Sequence, residues 1–279
     1  MRDADIELDS RIRAYYDQWP EETRLELGPF QLEAVRTREL IERYAPRPPA
    51  TVLDVGGAAG AYAAWLAGAG YTVHLIDATP RLVAEARKRS AMLPRPIASC
   101  EVGDARALSF PTASAAVVLL LGPLYHLTTV EDRARSLAEA ARVLEPGGVL
   151  FAAGISRYAS ALDGLSRDLF QDARFADIVA RDLRDGQHRN ATERVDYFTT
   201  AYFHTPEELR AEVARSGLVV DGVYGLEGPA WILPDFAERW ADARRRADVV
   251  RVARALESEP SVLGVSAHLL AVARKPKRD

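Results

Sequence analysis

The chain has 279 residues, 48% hydrophobic and 27% charged, with a formal net charge of -4 at pH 7. That length buries a full core, so one large globular domain, or one with insertions, is expected. The charge balance argues against a long nucleic-acid groove, and the lone Cys100 excludes an internal disulfide or any site needing two cysteine ligands.

No apolar stretch of signal-peptide length opens the chain and no later run is an uninterrupted membrane span, so a soluble cytoplasmic protein is expected. Before Thr51 the pattern predicts one helix through YYDQW and another through FQLEAVRTRELIERY, followed by a stiff linker with Pro46, Pro48 and Pro49. From Thr51 onward, TVLDV, YTVHLID, IASCEV, ASAAVVLLLG and GVLFAAGI read as strands separated by helices, the rhythm of a parallel sheet wrapped by helices. Thr79 with Pro80 marks one helix start, and Thr128 with Glu131 has capping-box spacing for another. After Ser156 the alternation lapses into a pattern that is helical to about Leu183 and then a polar loop, which reads as an insertion. The rhythm resumes at a helix opened by Thr205, Pro206 and Glu208, then the strand LVVDGVYGL, a helical excursion from Pro234 to Glu257 and a last strand in VSAHLLAVARK. The expected organisation is an N-terminal helical lid over 1–45, a ligand-binding core over 46–155, a lid insertion over 156–204, and the rest of the core over 205–279.

Ligand crevices of such sheets lie at the carboxyl ends of the strands. Those ends carry Asp54 with the turn Gly56 to Gly60, then Asp77, then Asp104 and Ala105, then Leu121 and GPLYH. An acid ending the second strand accepts both hydroxyls of a ribose, and one ending the third accepts from an exocyclic amine such as adenine's. A carboxylate at Asp54 tells against a pyrophosphate beside the glycine turn and suits a ligand carrying ammonium and sulfonium charges.

With DVGGAAG in place of an acid followed by x-G-x-G-x-G, the chain resembles the class I S-adenosylmethionine-dependent methyltransferases from about Thr51 to Gly228 and in its last strand. The resemblance implies an α/β, doubly wound, seven-stranded Rossmann-like sheet with helical N-terminal and inserted lid segments. It also implies S-adenosylmethionine as cofactor, leaving as S-adenosylhomocysteine. Carried over residue by residue, it places Asp54, Gly56, Gly57 and Gly60 at the methionine end, Asp77 and Ala78 at the ribose, and Asp104 with Ala105 at the adenine. Leu121 belongs to the same set, and Tyr15, Tyr16 and Arg24 are expected to reach the methionine carboxylate, Arg24 through a bidentate contact. Ala58 stands where the motif has its central glycine, which requires that its backbone avoid positive φ.

LYHL after the fourth strand is neither the N/D-P-P-Y/F/W motif nor a cysteine nucleophile, which steers from nucleic acid toward a small-molecule acceptor methylated on O or N. His126 is the candidate acid-base residue because an unperturbed imidazole titrates near neutrality, and Tyr125 is the candidate wall. Arg157, His188, Tyr202 and Trp231 are candidate substrate contacts, and Trp19, Phe198, Tyr202, Phe203 and Trp231 candidate pocket aromatics. His74 and His268 are expected to pack or face solvent. No metal set is expected. The rival readings are a nicotinamide-dependent oxidoreductase, a non-catalytic protein retaining the cofactor fold, and an RNA methyltransferase.

Overall fold

The computed structural model describes residues 10–18 and 21–277. Helices α1 (Ser10–Gln18) and α2 (Phe30–Tyr44) precede the sheet, joined by a short 3-10 segment at Glu21–Glu26. The core then runs β1 (Thr51–Val55), α3 (Ala61–Ala69), β2 (Thr72–Asp77), α4 (Pro80–Ala91), β3 (Ser99–Val102) and β4 (Ala115–Leu120). It continues through α5 (Pro123–His126), α6 (Val130–Val143) and β5 (Leu144–Ser156). The insertion holds α7 (Ala159–Ser166), α8 (Ala173–Asp185), β6 (Gln187–His188) and β7 (Ala201–His204). Last come α9 (Pro206–Arg215), β8 (Val219–Gly225), α10 (Phe236–Ala241), α11 (Ala243–Leu256) and β9 (His268–Arg274).

The central sheet has seven strands in the order β3-β2-β1-β4-β5-β9-β8, parallel except for β9, which runs antiparallel to both neighbours. The order reverses between β1 and β4, which opens a crevice at their carboxyl ends. Every residue of β4 is buried, because helices cover both faces of the sheet. Alternation along the strands divides the core: Val52, Val117 and Leu119 face Leu40, Leu66 and Ala86, whereas Leu53, Val118 and Leu120 face Leu137, Val143 and Leu209. Each fully buried leucine or valine among them contributes about 1.5–3 kcal/mol.

All seven expected strands are present. The capping box at Thr205 and Glu208 is complete, but the α6 cap is Thr129, which accepts from the Asp132 amide, and not Thr128. The polar loop expected after Leu183 is instead the hairpin β6–β7. Strand β5 outruns β4, whose last partner is Ala152, and β7 pairs parallel with the exposed end at Ile155 and Ser156. Among the described residues no helix is long and apolar enough to cross a membrane.

Candidate active site

A cavity of about 260 Å³ occupies the crevice. Asp54, Gly56, Gly57, Asp77, Ala78, Asp104, Ala105 and Leu121 line it, so eight strand-end residues from four different strands meet there. Gly60 does not. It sits at φ +81° and caps α3, with its amide donating to Gly57 O at 2.8 Å.

Asp54 is 1% exposed, and neither of its carboxylate oxygens has a hydrogen-bond partner. Burial first, and the Asp77 carboxylate second, raise its pKa to about 7. An unpartnered buried acid facing a cavity is a group waiting for a cation or donor. Gly57 lies against it, since a Cβ there would stand 2.8 Å from Asp54 Oδ2.

Asp77 accepts from the Ala58 amide at 2.9 Å on Oδ2 and from the Thr79 amide at 2.8 Å on Oδ1. The acid thus ties the turn after β1 to the end of β2. Contrary to the expectation for Ala58, its φ is +47°, in the left-handed region. The Asp77 bond holds it there at a steric cost of about 1–2 kcal/mol. Ala58→Gly is therefore expected to raise stability by about 0.5–1 kcal/mol in urea melts, the relief of strain being partly offset by the looser unfolded chain.

Asp104 is already engaged. Arg106 folds back on it, Nε to Oδ1 at 3.0 Å and Nη2 to Oδ2 at 2.7 Å, and although burial opposes it, that pairing holds the carboxyl below its usual range. Arg24 departs further from expectation. Its bidentate contact is with Glu33, at 2.6 and 3.1 Å, while Nε donates to Glu21 at 3.0 Å. The fork that was to meet a cofactor carboxylate meets a protein carboxylate, because α2 carries Glu33 to the same wall.

His126 also departs from the near-neutral base expected of it. Desolvation pushes its pKa down to about 4, with the Thr200 carbonyl acting against this. Its Nε2 is 2.7 Å from Tyr16 Oη, and its Nδ1 3.3 Å from Thr200 O. Tyr16 lines the cavity on α1, which Arg81 of α4 holds down by a 2.6 Å bond to the Tyr16 carbonyl. Tyr125 donates to Leu121 O at 3.2 Å and forms a wall.

Beyond this wall lies a second chamber of about 640 Å³, lined by Tyr15, Phe30, Phe175, Tyr197, Phe198, Phe203 and Trp231 among others. Trp231 is among the lining residues, its Nε1 donating to Val265 O at 2.8 Å. Arg157, His188 and Tyr202 are not among the chamber's lining residues. Arg157 is buried and donates to Phe203 O, with Glu208 as its ion-pair partner. His188, 1% exposed, bridges Asp182 and Tyr197 O and stacks on Phe203. Tyr202 packs under Arg133, whose guanidinium carbon stands 3.7 Å from the ring centroid. Strand alternation turns Tyr202 away from the face that carries Phe203, and His188 lies beneath the Phe203 ring on that same face. The β7 backbone covers Arg157 by accepting its hydrogen bond at Phe203 O. Trp19 lies outside the described residues.

His74 packs on Phe110, as expected, but His268 borders the chamber. Glu227 is 2.6 Å and Glu33 3.6 Å from His268 Nδ1, and these acids outweigh its desolvation and raise its pKa. The three side chains have metal-ligand proximity, yet Arg24 already takes both Glu33 oxygens and Ser266 and the His268 amide bond Glu227 Oε2. They read as an ion-pair wall. A buried glutamate within amphipathic α2 left no sequence signal.

A methyltransferase-domain family profile matches residues 53–152, the stretch from β1 into β5. The ubiquinone/menaquinone biosynthesis C-methyltransferase UbiE of Acidiphilium cryptum is 31% identical over 184 residues, covering 64% of this chain and 70% of that protein. Among solved structures, an S-adenosylmethionine-dependent methyltransferase of Mesorhizobium loti aligns with a TM-score of 0.56 at 18% identity, covering 87% of this chain and 99% of its own. The geranyl diphosphate C-methyltransferase of Streptomyces coelicolor, solved with Mg2+, geranyl diphosphate and S-adenosylhomocysteine, aligns with a TM-score of 0.55 at 14% identity, covering 88% and 80%. The chain belongs to the class I S-adenosylmethionine-dependent methyltransferases, and S-adenosylmethionine is its cofactor.

Proposed function

We propose that this methyltransferase is a cytoplasmic enzyme that acts on an O or N atom of a small, largely apolar molecule. The observation that carries this reading is the junction of two cavities: the strand-end crevice and the aromatic chamber share Tyr16, Glu21, Arg24 and Tyr125. The chamber's ring-rich lining suits an apolar or aromatic acceptor.

In this reading Asp54 receives the cofactor's ammonium group, which supplies its missing partner. Asp77 keeps free lone pairs beside its two amide bonds and receives the ribose hydroxyls. Ala105 and the Asp104–Arg106 corner edge the adenine. When bound, the cofactor supplies a methyl group activated on a positively charged sulfur. The protein's own residues position the acceptor in line with it and exclude water, and alignment accounts for most of the rate in a displacement of this kind.

Calorimetry with S-adenosylhomocysteine tests the site. Asp77→Ala is expected to lower affinity by about tenfold or more, as loss of hydrogen bonds to a charged group would; an unchanged affinity removes the ribose assignment. Transfer of labelled methyl to a panel of phenols and aryl amines, followed by mass spectrometry, tests the acceptor. Methylation at carbon is the second reading, favoured by the identity to a C-methyltransferase, and the same products distinguish it.

A further inference from the structure

The hydrogen bonds where the two cavities meet have a fixed direction. A carbonyl oxygen only accepts, so the 3.3 Å contact between His126 Nδ1 and Thr200 O requires the ring proton on Nδ1. In the neutral ring Nε2 is then an acceptor, and Tyr16 donates its hydroxyl proton into their 2.7 Å bond. Tyr125 similarly donates to Leu121 O at 3.2 Å. Both phenolic protons at the junction are committed to the protein, while both oxygens keep lone pairs.

Desolvation holds His126 neutral down to about pH 4. Desolvation also raises the Tyr16 hydroxyl well above its ordinary value, and Tyr125, Glu21 and Tyr15 add to this against Arg24. The groups facing the pair are thus Tyr15, Glu21, Arg24 and Tyr125, with the uncharged Phe198 and Thr200 beside His126. Neither member of the pair changes protonation between about pH 5 and about pH 9, so its polarity is constant there.

We propose that Tyr16 is a specificity-determining residue: its oxygen, fixed as an acceptor by the Thr200–His126 chain, selects a methyl acceptor carrying an O–H or N–H on the reacting atom. The inference rests on the small-molecule reading given above. Donating that hydrogen to Tyr16 leaves the reacting atom's lone pair free to face the methyl group. In the transfer the bond from sulfur to methyl breaks as the bond from the acceptor atom to methyl forms, and the acceptor's proton departs to solvent, so an O-methylated product has no such hydrogen. It loses the bond and leaves Tyr16 with an unanswered acceptor, so the junction discriminates against product.

Binding of naphthol and of its methyl ether to the S-adenosylhomocysteine complex, measured by calorimetry, tests the proposal, with nitrogen-15 NMR of labelled histidine reading the tautomer. The wild-type protein is expected to prefer naphthol by about tenfold or more, and Tyr16→Phe to cut that preference below about threefold, both ligands being compared on complexes saturated with S-adenosylhomocysteine. His126 is expected to be protonated on Nδ1 alone from about pH 5 to about pH 9, with an Nε2 shift that moves in Tyr16→Phe. A preference that survives Tyr16→Phe, or a proton on Nε2, overturns the proposal. If neither probe binds, the small-apolar acceptor class fails, and the tautomer then decides the polarity of the pair independently.

Discussion

Asp54→Asn is expected to stabilise the cofactor-free protein at pH 8 by about 1–3 kcal/mol while weakening S-adenosylhomocysteine binding by about tenfold to a hundredfold. The buried carboxyl keeps its proton up to about pH 7 in the folded state. In the unfolded chain it releases that proton near pH 4. Unfolding therefore releases a proton between those values, and the wild-type protein loses stability as pH rises through the window. Asparagine does not titrate, so its advantage grows from about pH 4 and levels off above about pH 7. Part of the gain is lost because the amide brings two donors to a site whose oxygens now have no partner. Binding weakens because the carboxylate is the charge that answers the cofactor's ammonium in the proposed site. Urea melts across this pH range and calorimetry of both proteins check the two halves; a stability gain that is flat with pH would remove the titration of Asp54 as its cause.

Gly56→Ala is expected to cost about 2–4 kcal/mol, a fall in melting temperature on the order of 5–10 °C, and to abolish measurable cofactor binding. Gly56 sits at φ +73°, and a Cβ there would stand 2.5 Å from Pro123 Cδ. The left-handed backbone and the collision add. Relief requires Pro123 to move, and Pro123 begins α5, the element that carries Tyr125 and His126. Both the cofactor turn and the junction wall would shift together. Differential scanning calorimetry with and without S-adenosylhomocysteine checks this; a variant with a cofactor-dependent rise in melting temperature equal to that of the wild type would mean that the turn absorbs the methyl group.

The contrast with Ala58 is instructive. Both positions have positive φ, but Ala58 is held by Asp77 whereas Gly56 is pressed against Pro123. A sequence shows which residue occupies a turn and not which neighbour approaches it. The reading that Ala58 avoids positive φ failed for that reason.

The sheet was legible because buried parallel strands appear as apolar runs, and the acids at their ends stand out against those runs. Asp54, Asp77 and Asp104 reach one cavity as the strand order dictates. The hairpin β6–β7 was not legible, since its first strand is two residues of a polar stretch and forms only where β5 outruns β4. The Arg106 clasp on Asp104 did have a local signal, a cation two residues on, and was readable in principle.

By itself the sequence determined the class of fold and the order of the strands' functional ends, because these follow from periodicity and from residue types at adjacent positions, and its resemblance to a known family implied the kind of cofactor. Tertiary structure alone decided which of those groups remain available. Tyr16 meets His126 across 110 positions, and Arg36 in α2 meets Glu257 across 221. Arg24, Arg157 and His188 are likewise spent on partners that folding brought to them. A charge or hydrogen bond falls off within a few ångströms, so what a polar side chain can do depends on its neighbours in space.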